Sequence, residues 1–171
     1  MFKRVLIASA LLLSVAAPAS AEKNWTPPKT KIYAQQLSDQ TMKAHPELLS
    51  VTLHGVPPGM HDAYTMFAGS YLDRIGNSDD PDDIDVSKKG ITIVDPRWHR
   101  TADPAPKFVV LMPLRDRSGA NIGLVVYAFK NPPADANSSA VELEYLKKSA
   151  VLRDELQKKI PSYNGLFESV K

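Results

Sequence analysis

The sequence predicts an α+β fold: a five-stranded antiparallel sheet with long N- and C-terminal helices on one face and a lid segment on the other. Three observations carry that expectation. Lys107–Arg115 and Asn121–Lys130 read as strands joined around Arg117-Ser118-Gly119, and so short a connection makes an antiparallel pair. Both faces of this hairpin are apolar. Phe108, Val110, Met112 and Leu114 alternate with Val109 and Leu111, while Ile122, Leu124 and Val126 alternate with Val125, Tyr127 and Phe129. A sheet with one wet face would alternate apolar and polar side chains, so this one must be covered twice. The element order (helix, two strands, short helix, three strands, helix) supplies helices for one face and a long Leu72–Pro106 excursion for the other.

Each element has a local cause. Thr30–Ala44 reads as a helix with Tyr33, Leu37 and Met42 toward one side, ended by His45-Pro46. Ser50–Val56 and Asp62–Tyr71 read as strands around the Pro57-Pro58-Gly59 turn. Within the excursion, Asp80 is placed to cap a short helix with Pro81 at its first position, acids in its first turn, and Lys88-Lys89 before Gly90 at its end. A third strand starts at Ile91–Val94, and Pro96–Pro106 is an irregular crossing. Asn131-Pro132-Pro133 breaks into a linker. Ser139–Ile160 is then a long helix, with Ser139 and Glu142 spaced as a capping box.

Residues 1–21 read as a secretory signal peptide: Lys3 and Arg4, an apolar run Val5–Val15, and Ala19-Ser20-Ala21 as the cleavage site. The apolar run is too short for a spanning helix, which needs about 20 residues. The expectation is a periplasmic or secreted protein, with residues 22–171 forming one domain and no membrane insertion after cleavage. The formal charge of +2 comes from Lys3 and Arg4, so the remainder is neutral and offers no electrostatic case for nucleic acid. The chain contains no cysteine, which excludes disulfides, thiol catalysis, cysteine-ligated zinc and covalent haem.

Candidate chemistry is sparse. There is no nucleophile elbow, no phosphate-binding glycine loop and no pair of histidines at helical i, i+4 spacing. The acids Asp79, Asp80, Asp82, Asp83 and Asp85 lack the glycine of a calcium loop, and helix capping accounts for them. His54 and His61 flank the Pro-Pro-Gly turn with Asp62 nearby, the sole footing for a metal-dependent hydrolase; turn-adjacent surface positions explain them better. The expectation is therefore no enzyme, no metal and no cofactor. Arg97-Trp98-His99-Arg100 combines a guanidinium fork with a large aromatic at the lid's edge and is the best binding element. Arg74 could point into the lid, and Tyr64, Met66 and Tyr127 are strand positions suited to lining a pocket. Tyr64, Met66, Arg74, Arg97, Trp98, His99 and Tyr127 form the expected ligand site.

The N-terminal helix, the Arg74-Ile75-Gly76 … Asp79-Asp80-Pro81-Asp82-Asp83 segment and the Pro113-Leu114-Arg115-Asp116 … Gly119 … Ile122-Gly123 hairpin together resemble single Cache domains, the extracytoplasmic PAS-like sensors, over about residues 30–160. Such domains usually sit between two membrane helices of a receptor, whereas this sequence reads as having no anchor and no output domain, so the expectation is a stand-alone form. It would bind a small metabolite between sheet and lid and pass the signal to a membrane receptor or kinase. The rival reading is a periplasmic protein-interaction module with a filled core and no ligand.

Overall fold

A computed structural model describes residues 23–95 and 106–170. The apolar hairpin becomes the heart of the sheet. Strands β1 (Leu48–Gly55), β2 (Thr65–Gly69), β3 (Ile93–Asp95), β4 (Lys107–Arg115) and β5 (Asn121–Lys130) form one five-stranded sheet in the order β2-β1-β5-β4-β3, every neighbour antiparallel. The last two strands have the expected bounds.

Period-two alternation divides the side chains between two cores. Val51, Leu53, Phe108, Val110, Met112, Val125, Tyr127 and Phe129 meet helix α1 (Tyr33–Ala44) through Leu37 and helix α3 (Ser139–Lys159) through Tyr145, Leu152 and Leu156. Tyr145 stacks on Phe108 at 4.2 Å between ring centroids. On the other face, Val109, Leu111, Leu124 and Ala128 pack on Val86 of helix α2 (Pro81–Lys89). Both faces of the hairpin are thus covered, the second by a helix from the predicted lid excursion. This is the PAS-like layout expected from the sequence.

Several boundaries differ from expectation. β2 is confined to Thr65–Gly69, because Asp62 takes a left-handed φ of 57° that keeps the preceding residues out of the ladder. β1 begins two residues earlier than expected and β3 two residues later. α1 starts at Tyr33 because Ile32 is held extended, in a bridge to Ser169. The capping box on Ser139 does not form. Ser138 is the N-cap and accepts from the Val141 N–H at 3.4 Å. At α2, Asp80 stands at the N-cap with Pro81 after it, but its side chain makes no capping bond.

Two glycines of the quoted motifs sit where no side chain fits. A Cβ on Gly123 would lie 2.3 Å from the His54 carbonyl oxygen, across the β1–β5 ladder. A Cβ on Gly76 would lie 1.9 Å from the carbonyl oxygen of Trp25, where the N-terminal strap crosses the loop after β2. Gly76 lets residues 76–79 run back along the edge of β2: Gly76 N–H donates to Met66 O at 2.8 Å, and Asp79 N–H to Tyr64 O at 3.1 Å. That return path carries Asp79 to the sheet face below α2.

Candidate functional site

Thr52 and His54 are two apart on β1, so they share the face turned toward α2. His54 is buried and makes two short contacts. Its Nδ1–H donates to Asp79 Oδ1 at 2.7 Å, and its Nε2 lies 2.7 Å from Thr52 Oγ1. With the ring protonated, Nε2–H donates to the threonine hydroxyl; with it neutral, that hydroxyl donates to Nε2. Asp83, in the first turn of α2, brings Oδ2 to 4.0 Å from Nδ1. Its carboxylate also accepts from the Asp80 backbone N–H, so the bond at this helix start runs opposite to the expected one.

The electrostatics follow from burial and neighbours. For His54, burial disfavours the charged ring, but the carboxylates of Asp79, Asp83 and Asp80 outweigh it and leave the pKa raised. Burial pushes Asp83 up to about 6, with the Asp79 and Asp80 charges adding to the rise and His54 opposing it. The Asp79 side chain is 1% exposed, and its second oxygen, Oδ2, has no hydrogen-bond partner among the described residues.

Thr52, His54 and Asp79 reproduce the hydroxyl–imidazole–carboxylate order of a nucleophile relay. Thr52 is itself buried, against a bare stretch of β2. A Cβ on Gly69 would stand 2.8 Å from Thr52 Cγ2, so strand packing fills the space a substrate carbonyl would need. The relay has the order of a catalytic triad without its access.

An open pocket of about 330 Å³ adjoins the cluster, within the usual range of small-molecule sites. Gly55 and Val56 continue from His54, Ser87 lies one helical turn beyond Asp83, and Ile122 and Gly123 open β5. Tyr64, Asn121 and Tyr163 complete the wall. Asn121 Nδ2 donates to Ser87 O at 2.8 Å, which fixes the end of α2 to the hairpin, and Tyr163 O–H donates to Val56 O. Lys88 Nζ lies 5.0 Å above the Tyr64 ring. Ser87 contributes to this wall, and its buried Oγ has no hydrogen-bond partner among the described residues.

The expected site residues separate. Tyr64 lines the pocket. Met66 pairs with His54 across β1 and β2 and is buried beside it. Arg74 is exposed, with its guanidinium 4.8 Å over the Tyr71 ring. Tyr127 is fully buried in the helix-side core, on the face away from Met66. Arg97, Trp98 and His99 lie outside the described residues. His61 is exposed, so His54 finds its partners in the acidic segment and not across the Pro-Pro-Gly turn. Sequence reasoning missed the pairing of His54 with Asp79, because capping already explained the acids and no periodicity links positions 54 and 79. Ser87, Asn121 and Tyr163 carry no motif at all.

The fold and site define a class: a PAS-like α+β domain with an open pocket where the end of β1 and the start of β5 meet its lid helix. No family model and no curated protein matches the chain. Among solved structures it is similar to the sensor domain of E. coli DcuS, at 18% identity and a TM-score of 0.39, covering 68% of this chain and 71% of that one. Among the described residues, no helix is long and apolar enough to cross a membrane.

Proposed function

We propose that this chain is an exported, periplasmic ligand-binding sensor domain that takes a small metabolite between its sheet and α2 and passes the signal to a membrane receptor or kinase. The observation that carries this reading is the pocket itself: about 330 Å³, open, and walled by Tyr64, Tyr163, Asn121 and Ser87. Few polar groups converging on a pocket of this size are what fixes a ligand's orientation. α2 is the element positioned to report occupancy, since it contributes Ser87 to the wall and Val86 to the sheet core. Arg97, Trp98 and His99 belong to the same lid excursion and are proposed as its remaining contacts.

A thermal-shift screen of carboxylates, amino acids and purines tests the proposal. A ligand at 100 times its dissociation constant stabilises the folded state by about 2.7 kcal/mol, a shift of several degrees. The expected result is a saturable shift with one chemical class, abolished in Ser87→Leu, whose side chain fills the pocket. No shift with any class, together with no ligand carried by protein purified from its host, would favour the interaction module instead.

A further inference from the structure

His54, Asp79 and Asp83 come from three separate parts of the chain: strand β1, the return segment along β2, and the first turn of α2. One ligand atom from each lies within 4.8 Å of the others. Four features of this meeting point ask for a cation. Two carboxylates face a single imidazole, so even a protonated ring leaves the group one positive charge short. The Asp79 carboxylate is almost completely buried, yet among the described residues its Oδ2 has no donor to satisfy it. His54 turns Nδ1 toward both carboxylates while Nε2 meets Thr52 Oγ1 at 2.7 Å. An ion at Nδ1 would displace the proton now donated to Asp79, and an Nε2–H bond to that hydroxyl would then hold the ring, the outer-shell arrangement that orients a metal-ligating histidine. Finally, the spacing is close to what coordination needs. Donors held at about 2.0–2.2 Å from a tetrahedral ion stand roughly 3.3–3.6 Å apart. The 2.7 Å pair has to open a little and the 4.0 Å pair to close.

We propose that His54, Asp79 and Asp83 bind one divalent transition-metal ion of the zinc type, with Thr52 orienting the imidazole. The donor set chooses the ion. One imidazole with two carboxylates suits zinc and its neighbours, whereas magnesium and calcium take oxygen ligands throughout. Three protein ligands leave a position for water. The ion would lock α2 to β1, because Asp83 reaches it from the helix and His54 from the strand. This inference does not rest on the ligand reading; the ion alone is the probe, and the pocket need not be filled.

The test uses the full protein without a polyhistidine tag, stripped by chelator, dialysed, and titrated calorimetrically with Zn²⁺. One equivalent should bind, with a rise in Tm that chelator reverses, and Mg²⁺ at the same concentration should do neither. Thr52→Val should weaken Zn²⁺ binding about 10–100-fold, the usual effect of losing an outer-shell partner. Asp83→Asn and His54→Gln should abolish the stoichiometric binding. If His54→Gln fails to fold, the less buried Asp83 and the near-isosteric Thr52 change carry the comparison. Absence of stoichiometric binding by the parent protein would overturn the proposal. So would unchanged affinity in Asp83→Asn and Thr52→Val, which would place the ion elsewhere, for example at His45 between Glu47 and Glu155.

Discussion

Tyr127 holds a hydroxyl that its surroundings do not use. The ring is fully buried among Val51, Val110 and the α3 face, its oxygen has no hydrogen-bond partner among the described residues, and burial drives its pKa far above the ordinary phenol value. A buried, unpaired polar group costs about 1–3 kcal/mol, so removing it while keeping the ring should not destabilise. Tyr127→Phe is expected to leave stability unchanged or to raise it by about 1 kcal/mol, read as the urea midpoint at constant slope. A loss beyond about 1 kcal/mol would mean that the hydroxyl is held by a partner. The same residue shows what a sequence can say at this scale. Parity places Tyr127 with Val125 and Phe129, and that grouping holds. Parity is silent on which face meets the long helices, so Tyr127 could be suggested for a pocket from which packing removes it.

At the scale of elements, the start of α3 and the turn of the last hairpin each rest on a few identifiable bonds. Ser138 and Ser139 are adjacent and chemically identical, and only the chain's entry angle decides which one caps. Ser138 is extended, at φ −78° and ψ 143°, and its hydroxyl reaches the Val141 N–H. Ser138→Ala should therefore cost about 1 kcal/mol, whereas Ser139→Ala, inside the helix, should cost little or nothing. Equal costs in a chemical-denaturation series would contradict this assignment. In the hairpin turn, Asp116 Oδ1 accepts from the Ser118 hydroxyl at 2.6 Å, the Ser118 N–H at 2.9 Å and the Ala120 N–H at 3.2 Å. These bonds, the Ser118 hydroxyl foremost, hold the Asp116 pKa below its ordinary 3.8. Since the folded pKa is the lower one, the stabilisation is fully present above about pH 4 and fades as pH falls through the folded value. The stability gap between the parent protein and Asp116→Ala should be constant near neutrality and shrink on acidification below about pH 4. A gap that widens there would reverse the sign of the argument.

For the whole molecule, the sheet was legible because its determinants are local. Two strands with apolar residues on both faces demand two covers, and the element order offers two. The helix ends were less legible, because caps depend on φ and ψ at single residues such as Ser138 and Ile32. The site was least legible. Its walls join Gly55, Tyr64, Ser87, Asn121 and Tyr163, positions united by strand order and by the return path through Gly76, and by nothing in their spacing. His54 was visible as a candidate, but its carboxylate partners were already accounted for by helix capping; in the fold Asp83 bonds at the helix start, to the Asp80 N–H, while Asp79 pairs with His54.

The central claim is that a ligand occupies the space between α2 and the adjoining ends of β1 and β5. Amide chemical shifts, followed by NMR as the ligand that raises Tm is added, test it most directly. The account predicts saturating changes at Gly55, Val56, Ser87, Asn121 and Gly123, extending along α2, with the helix-side residues Val51, Val125 and Phe129 little affected. Changes confined to the outward face of α3, where Leu143 and Val151 are exposed, with the pocket amides unmoved, would contradict it and assign the protein to the interaction class.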